Sequence, residues 1–126
     1  MSSAQQHTDL LALLERYFAG LHHADSQALA TVFHPRCQYV NSLPNEFTVL
    51  SMEEYRAVLD QRVAPAERGE VRKEWIVSLD VASATLAFAK VQLSMLGRDY
   101  TDYLTLVNQQ GHWRIMAKIF TYSPTR

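Results

Sequence analysis

The chain has 126 residues, 48% hydrophobic and 20% charged, which fits one globular domain, 1–126, built on a single core. Its 12 basic and 13 acidic residues leave a formal net charge of -1, which weighs against nucleic acid or an anionic membrane as a partner because no extended field exists to hold either. Cys37 is the only cysteine, no Cys/His group has zinc-site spacing, and neither a leader pattern nor an apolar run of membrane-spanning length is present, so a reducing, cytoplasmic setting is expected.

Residues 1–7 are small and polar and are expected to fray. From Thr8, a good N-cap, Leu10, Leu13, Leu14, Tyr17, Phe18 and Leu21 recur at helical spacing, predicting an amphipathic helix to about His23 whose stripe faces a sheet. Ala24-Asp25-Ser26 supplies a second cap, and Leu29, Val32 and Phe33 predict a short helix stopped by Pro35. Cys37–Ser42 reads as a short strand, Leu43–Glu46 as a loop and Phe47–Leu50 as a second short strand. Ser51 and Glu54 form a capping box opening a third helix through Tyr55, Val58 and Leu59, which Ala64–Gly69 ends.

After Gly69 the period changes to two. Trp75, Val77, Leu79 and Val81 share a face over 73–81, Ala87, Ala89, Val91, Leu93 and Met95 share one in the next strand, and Asp102, Leu104 and Leu106 share one in the third. A last strand runs from Trp113 to Tyr122, and the short connections fit an antiparallel meander. Helices followed by long strands, with no repeat or linker between them, make an α+β plan.

Some residues stand out against this plan. A carboxylate at Asp102, on the face of Leu104 and Leu106, is costly unless paired or protonated: it either salt-bridges Arg98, Lys118 or an arginine across the sheet, or serves a ligand. Tyr17 is either a core aromatic or a pocket hydroxyl. His34, beside Pro35, caps carbonyls or serves a site; nothing in the spacing selects a His22/His34/Asp102 group, and no metal or cofactor is expected. Tyr39 and Asn41 alternate onto one face of the first short strand, and Cys37 reads as a small buried hydrophobe. The last strand carries bulk on both faces, so one face needs a cover, and a second copy of the chain is the plain candidate, giving a homodimer through the sheet.

In order and spacing, Tyr17–Asp25, Val32–Pro35, Leu50–Tyr55, Asp102–Leu106 and Gly111–Phe120 resemble the nuclear transport factor 2-like superfamily, which includes ketosteroid isomerases and SnoaL-like polyketide cyclases; within it the match is closest to the group named Putative lumazine-binding. The resemblance spans residues 8–122. It implies a cone-shaped α+β barrel of the cystatin-like kind, three N-terminal helices on a curved antiparallel sheet, with a pocket between the first helix and the sheet. In ketosteroid isomerases a helix Tyr and a protonated strand Asp donate to an oxyanion while a second Asp takes the proton. Carried onto this sequence, the resemblance places Tyr17 and Asp102 at the donors and Asn41 at the base, where an amide cannot accept a proton near neutral pH.

The resemblance also puts Phe120, and with it Met116, Lys118 and Tyr122, on the cavity side of the last strand, and Ile115, Ala117 and Ile119 on the dimer side, a parity that one bulge would invert. What it implies is a small-molecule binder with Tyr17, His34, Tyr39, Asn41, Asp102, Lys118 and Phe120 as ligand-binding residues, and a pterin-like or apolar ring as ligand. The alternative is an isomerase or cyclase-like enzyme with Tyr17 and Asp102 as catalytic oxyanion donors and His34 or a bound water as base. A third reading, a pure dimerisation or adaptor domain, predicts no cavity.

Overall fold

The computed structural model describes residues 2–125. Among them, three helices and six strands follow in the order α1 (Ser3–His23), α2 (Ser26–Ala30), β1 (Phe33–Asn41), β2 (Thr48–Leu50), α3 (Met52–Gln61), β3 (Lys73–Val81), β4 (Leu86–Met95), β5 (Arg98–Gln109) and β6 (His112–Pro124). The α+β architecture is as expected. Helices pack on one curved sheet of order β2-β1-β6-β5-β4-β3, which stays open at β2 and β3. Every neighbouring pair is antiparallel except β1 with β6, which is parallel.

The core forms where the α1 stripe meets the inward face of the long strands. Leu10, Leu13, Leu14, Tyr17 and Leu21 are buried with Ala87, Ala89, Val91, Leu104, Leu106 and Ile115 in one cluster. Two tight hairpins hold β4, β5 and β6 in register. Leu96 and Gly97 have φ of 55° and 74°, and Gln110 and Gly111 have 55° and 84°, the left-handed pair that a two-residue hairpin needs to match strand twist. Gly20 has another role: a Cβ there would lie 2.6 Å from Leu29 Cδ2, so its bare backbone is what lets α2 pack on α1.

Four local expectations are corrected. α1 starts at Ser3 rather than at Thr8, because Ser2 already caps it through the Gln5 N–H (3.1 Å) and Thr8 Oγ1 donates to Ala4 O (3.0 Å) inside the helix. Polar residues do not prevent helix here, since Gln5 also bonds Asp9 one turn on, at 2.8 Å. Residues 3–7 of the expected frayed stretch are therefore helical, and Met1 lies outside the described residues.

α2 ends at Ala30, and Val32 and Phe33 belong to the strand side. Phe33 pairs with Ile115, and Pro35 falls in the irregular register between Phe33 and Gln38, where a missing N–H removes no ladder bond. Proline favours an extended residue before it, so the same Pro35 serves a strand entry as well as a helix stop.

The other two corrections are bulges. In β3 the register shifts between Ile76 and Ser78, so Ile76 packs on the core with Leu79 and Val81, leaving Trp75 and Val77 exposed. In β6 the pairing passes from Thr105 with Ala117 to Leu106 with Ile115, skipping Met116. Ile115, expected on the dimer side, is fully buried for that reason, while Lys118 and Phe120 keep the inward direction expected of them.

Candidate functional site

The site is assembled where β5, β6 and α1 meet. Asp102 lies opposite Phe120 and Leu104 opposite Lys118 in the β5–β6 ladder, so Asp102 and Lys118 are diagonal neighbours on one face. Their side chains are 1% and 5% exposed, and Lys118 Nζ stands 3.9 Å from Asp102 Oδ2. From α1 the Tyr17 hydroxyl donates to the same Oδ2 at 2.5 Å. Of the partners the sequence offered Asp102, the structure selects Lys118, together with Tyr17.

Around the ammonium stand four rings, each from a different element. Their centroids lie 5.2 Å (Tyr17, α1), 5.2 Å (Tyr39, β1), 5.3 Å (Phe120, β6) and 5.7 Å (Tyr55, α3) from Lys118 Nζ. Aromatic faces attract a cation through the ring quadrupole, the more so away from water, which offsets part of the cost of burying the lysine. The box is braced from within: Tyr39 stacks on Tyr55 at 4.3 Å and 24°, and Phe33 sets an edge against both Tyr17 and Tyr55.

Hydrogen-bond accounting leaves this cluster incomplete. Among the described residues, Asp102 Oδ1 is buried without a partner, and Lys118 Nζ stands beyond hydrogen-bond distance of Oδ2. The surrounding phenols hold their protons. Burial, then the nearby Asp102 charge, pushes Tyr17 well above the ordinary tyrosine value, and burial raises Tyr55 as well. Tyr39 is pushed up to about 12, chiefly by burial, with Lys118 opposing. Burial raises the Cys37 thiol to about 12 too, so it sits in the core as a thiol, in keeping with a small hydrophobe.

Two expected members lie elsewhere. Asn41 turns its Oδ1 to the Leu43 N–H (3.0 Å), shaping the loop after β1. His34 sets Nε2 against Gln109 Oε1 (2.9 Å), and its Nδ1 accepts from the Arg36 N–H (3.0 Å). His22 rests edge-on against His23, so His22, His34 and Asp102 are not gathered, and among the described residues no group of three His, Cys, Asp or Glu side chains is placed to hold a metal. Nor, among these residues, is any helix long and apolar enough to cross a membrane.

Sequence reasoning passed over Tyr55 as a wall of the site. Its signal was its place on the inward face of the helix that the Ser51 capping box opens. Tyr55 and Phe33 also face a groove of about 440 Å³ between α2, α3 and β1, lined further by Leu29, Met52 and Leu59 and bordered by the exposed Glu53, Arg56 and Asp60. That volume is in the range of small-molecule sites, and the two rings that line it also adjoin the cluster, Phe33 at Tyr17 and Tyr55 at Lys118.

The family described as Putative lumazine-binding matches residues 5–121. A comparison with curated proteins finds no match. Among solved structures, an NTF2-like protein of unknown function from Shewanella baltica is similar with TM-score 0.86 and 22% identity, over 99% of this chain and 99% of that one. One from Silicibacter pomeroyi has TM-score 0.82 and 23% identity over 98% and 100% of the two chains. A ketosteroid isomerase-like protein from Erwinia carotovora atroseptica has TM-score 0.70 and 15% identity over 93% and 96%. Likeness at these identities is a likeness of fold.

Proposed function

The chain belongs to the Putative lumazine-binding family within the nuclear transport factor 2-like superfamily, and from that premise we propose that it is a small-molecule-binding protein whose ligand sets a polar group between Asp102 and Lys118. One observation carries this: a buried carboxylate oxygen without a partner, on an aspartate whose other oxygen lies 3.9 Å from a lysine ammonium. Leaving a buried polar group unmatched costs about 1–3 kcal/mol, so a guest that donates to Asp102 Oδ1 is favoured by a comparable amount. Tyr39, Tyr55 and Phe120 are the rings beside that pair, and Tyr55 also lines the groove between α2, α3 and β1. His34 and Asn41 are not part of this contact set, because their side chains are engaged with Gln109 and the Leu43 N–H.

Holding a ligand fits this chemistry better than deprotonating one. Tyr17 commits its hydroxyl proton to Asp102, Asn41 is an amide, and the His34 ring is turned to Gln109. A panel of fused-ring ligands headed by lumazine is expected to include at least one that raises the melting temperature by several degrees near a hundredfold excess over its Kd, the stabilisation at that ratio being about 2.7 kcal/mol. The rise should vanish in Asp102→Asn. No shift with any member, or a shift that Asp102→Asn leaves intact, would refute the assignment.

The homodimer belongs to the same proposal. Trp75, Tyr103 and Ile119 are each about half exposed (51%, 49% and 47%), and Tyr103 pairs directly with Ile119 in the ladder, so apolar groups adjoin on the face turned away from the helices. Sedimentation at micromolar concentration is expected to give twice the chain mass, and Tyr103→Glu to return it to one. A monomer in both would remove the dimer from the proposal. A cytoplasmic setting is proposed with it, on the strength of the single unpaired Cys37.

A further inference from the structure

A hollow of about 370 Å³ lies between α1 and the start of β6, and it shares no lining residue with the Asp102 cluster. Asp9 and Arg16 reach it from α1, two helical turns apart and so on one face of the helix. His112, Trp113 and Arg114 reach it from β6, directly after the turn at Gln110 and Gly111.

The two arginines there have no acidic partner. Among the described residues Arg68 and Arg72 form ion pairs, whereas Arg16 and Arg114 form none. Asp9, the one carboxylate that lines the hollow, accepts from Gln5 Nε2 at 2.8 Å. Two guanidinium charges against that carboxylate leave one positive charge unbalanced, and His112 adds no negative one. Trp113 brings a further donor, since it is 5% exposed and its Nε1–H is buried with no acceptor among the described residues.

These groups together favour one kind of guest. A guanidinium is a planar fork of N–H donors whose spacing matches the two oxygens of a carboxylate. A single negative charge balances the hollow, while a doubly charged anion leaves an excess beside Asp9. The volume is that of a small-molecule site. We propose that this hollow is a second binding site, for small monocarboxylates, with Arg16 and Arg114 on the carboxylate oxygens and the Trp113 indole N–H as the third donor.

Heteronuclear NMR of the isotope-labelled full chain tests this through its indole N–H signals, which come from Trp75 and Trp113 alone. Trp75 is the internal control, because its Nε1 already donates to Gln92 Oε1 at 2.9 Å. Benzoate is expected to bind with a Kd of about 1 mM or below, moving the Trp113 signal and leaving that of Trp75 in place. Benzamide, a neutral probe of the same shape, should bind about tenfold or more weakly, and sulfate, a dianion, should also bind less tightly than benzoate. Arg16→Gln and Arg114→Gln should each weaken benzoate by about fivefold or more. The comparison of probes on the unaltered protein needs neither variant to fold. Benzamide or sulfate binding as tightly as benzoate overturns the carboxylate assignment. A Trp113 signal that benzoate leaves unmoved, or moves no more than that of Trp75, overturns the site.

Discussion

Replacing Asp102 with alanine is expected to lower folding stability by about 3–5 kcal/mol, the cost of leaving one member of a buried pair alone. The variant strands the Lys118 ammonium among four rings with no counter-charge, and the Tyr17 hydroxyl loses its acceptor. Cation–π attraction does not make up the difference, because it is worth about 2 kcal/mol when desolvated. The exposed pair of Arg72 with Glu15 makes a useful contrast. It has the shorter separation, 2.9 Å, yet Glu15 is 64% exposed, and water screens it to between about 0 and 1 kcal/mol.

Changing both partners, Asp102→Leu with Lys118→Met, is expected to recover most of the loss, since a buried pair replaced by apolar groups of similar size is often near neutral in stability. Urea midpoints of the two single variants and the double variant complete the cycle. A loss below about 1 kcal/mol for Asp102→Ala would contradict the burial on which the site is built.

Stability is also expected to fall steeply above pH 10. Tyr17, Tyr39 and Tyr55 all have folded-state values raised by burial above the ordinary tyrosine value of 10.0. Below that value the phenols are protonated in both the folded and the unfolded chain, and their contribution is fully present. Above it the unfolded chain releases its protons first, so unfolding gains about 1.4 kcal/mol per pH unit for each such tyrosine. Tyr39 stops contributing to the slope near its folded value of about 12, whereas Tyr17 and Tyr55 continue beyond it.

Cys37 acts in the same direction over a window that opens lower, from its ordinary 9.0 to about 12. With about three phenols titrating together the slope approaches 4 kcal/mol per pH unit, enough to exhaust the ordinary margin of 5–15 kcal/mol within a few units. Phenolate absorbance and far-ultraviolet circular dichroism, followed together, should show these tyrosines ionising only as the fold is lost. Full ionisation near pH 10 with the circular dichroism unchanged would mean that the three rings are not buried as described.

How much of this was legible beforehand differs from element to element. The inward residues of β4, from Ala87 to Met95, are buried as their alternation predicts, and so are Asp102, Leu104 and Leu106 in β5. The Ser51–Glu54 box opens α3 with both of its hydrogen bonds in place. The nuclear transport factor 2-like fold was readable in the order of such pieces. Each depends on side-chain direction or backbone capping within a few residues, which local spacing encodes.

Other features depend on where separate elements meet. Tyr17 and Asp102 are 85 residues apart, and nothing in the spacing of either says that the hydroxyl donates to the carboxylate. Pairing Lys118 with Asp102 needs the β5–β6 register, and the bulge at Met116 turns Ile115 into the core although alternation along the last strand puts it opposite. The box needs rings from α1, β1, α3 and β6 at once. The sequence by itself determined the elements, their inward faces and an acidic group in an apolar strand. Only the tertiary structure decided that Lys118 answers that group while Asn41 and His34 bond elsewhere, because strand register, bulges and helix docking set which inward side chains meet.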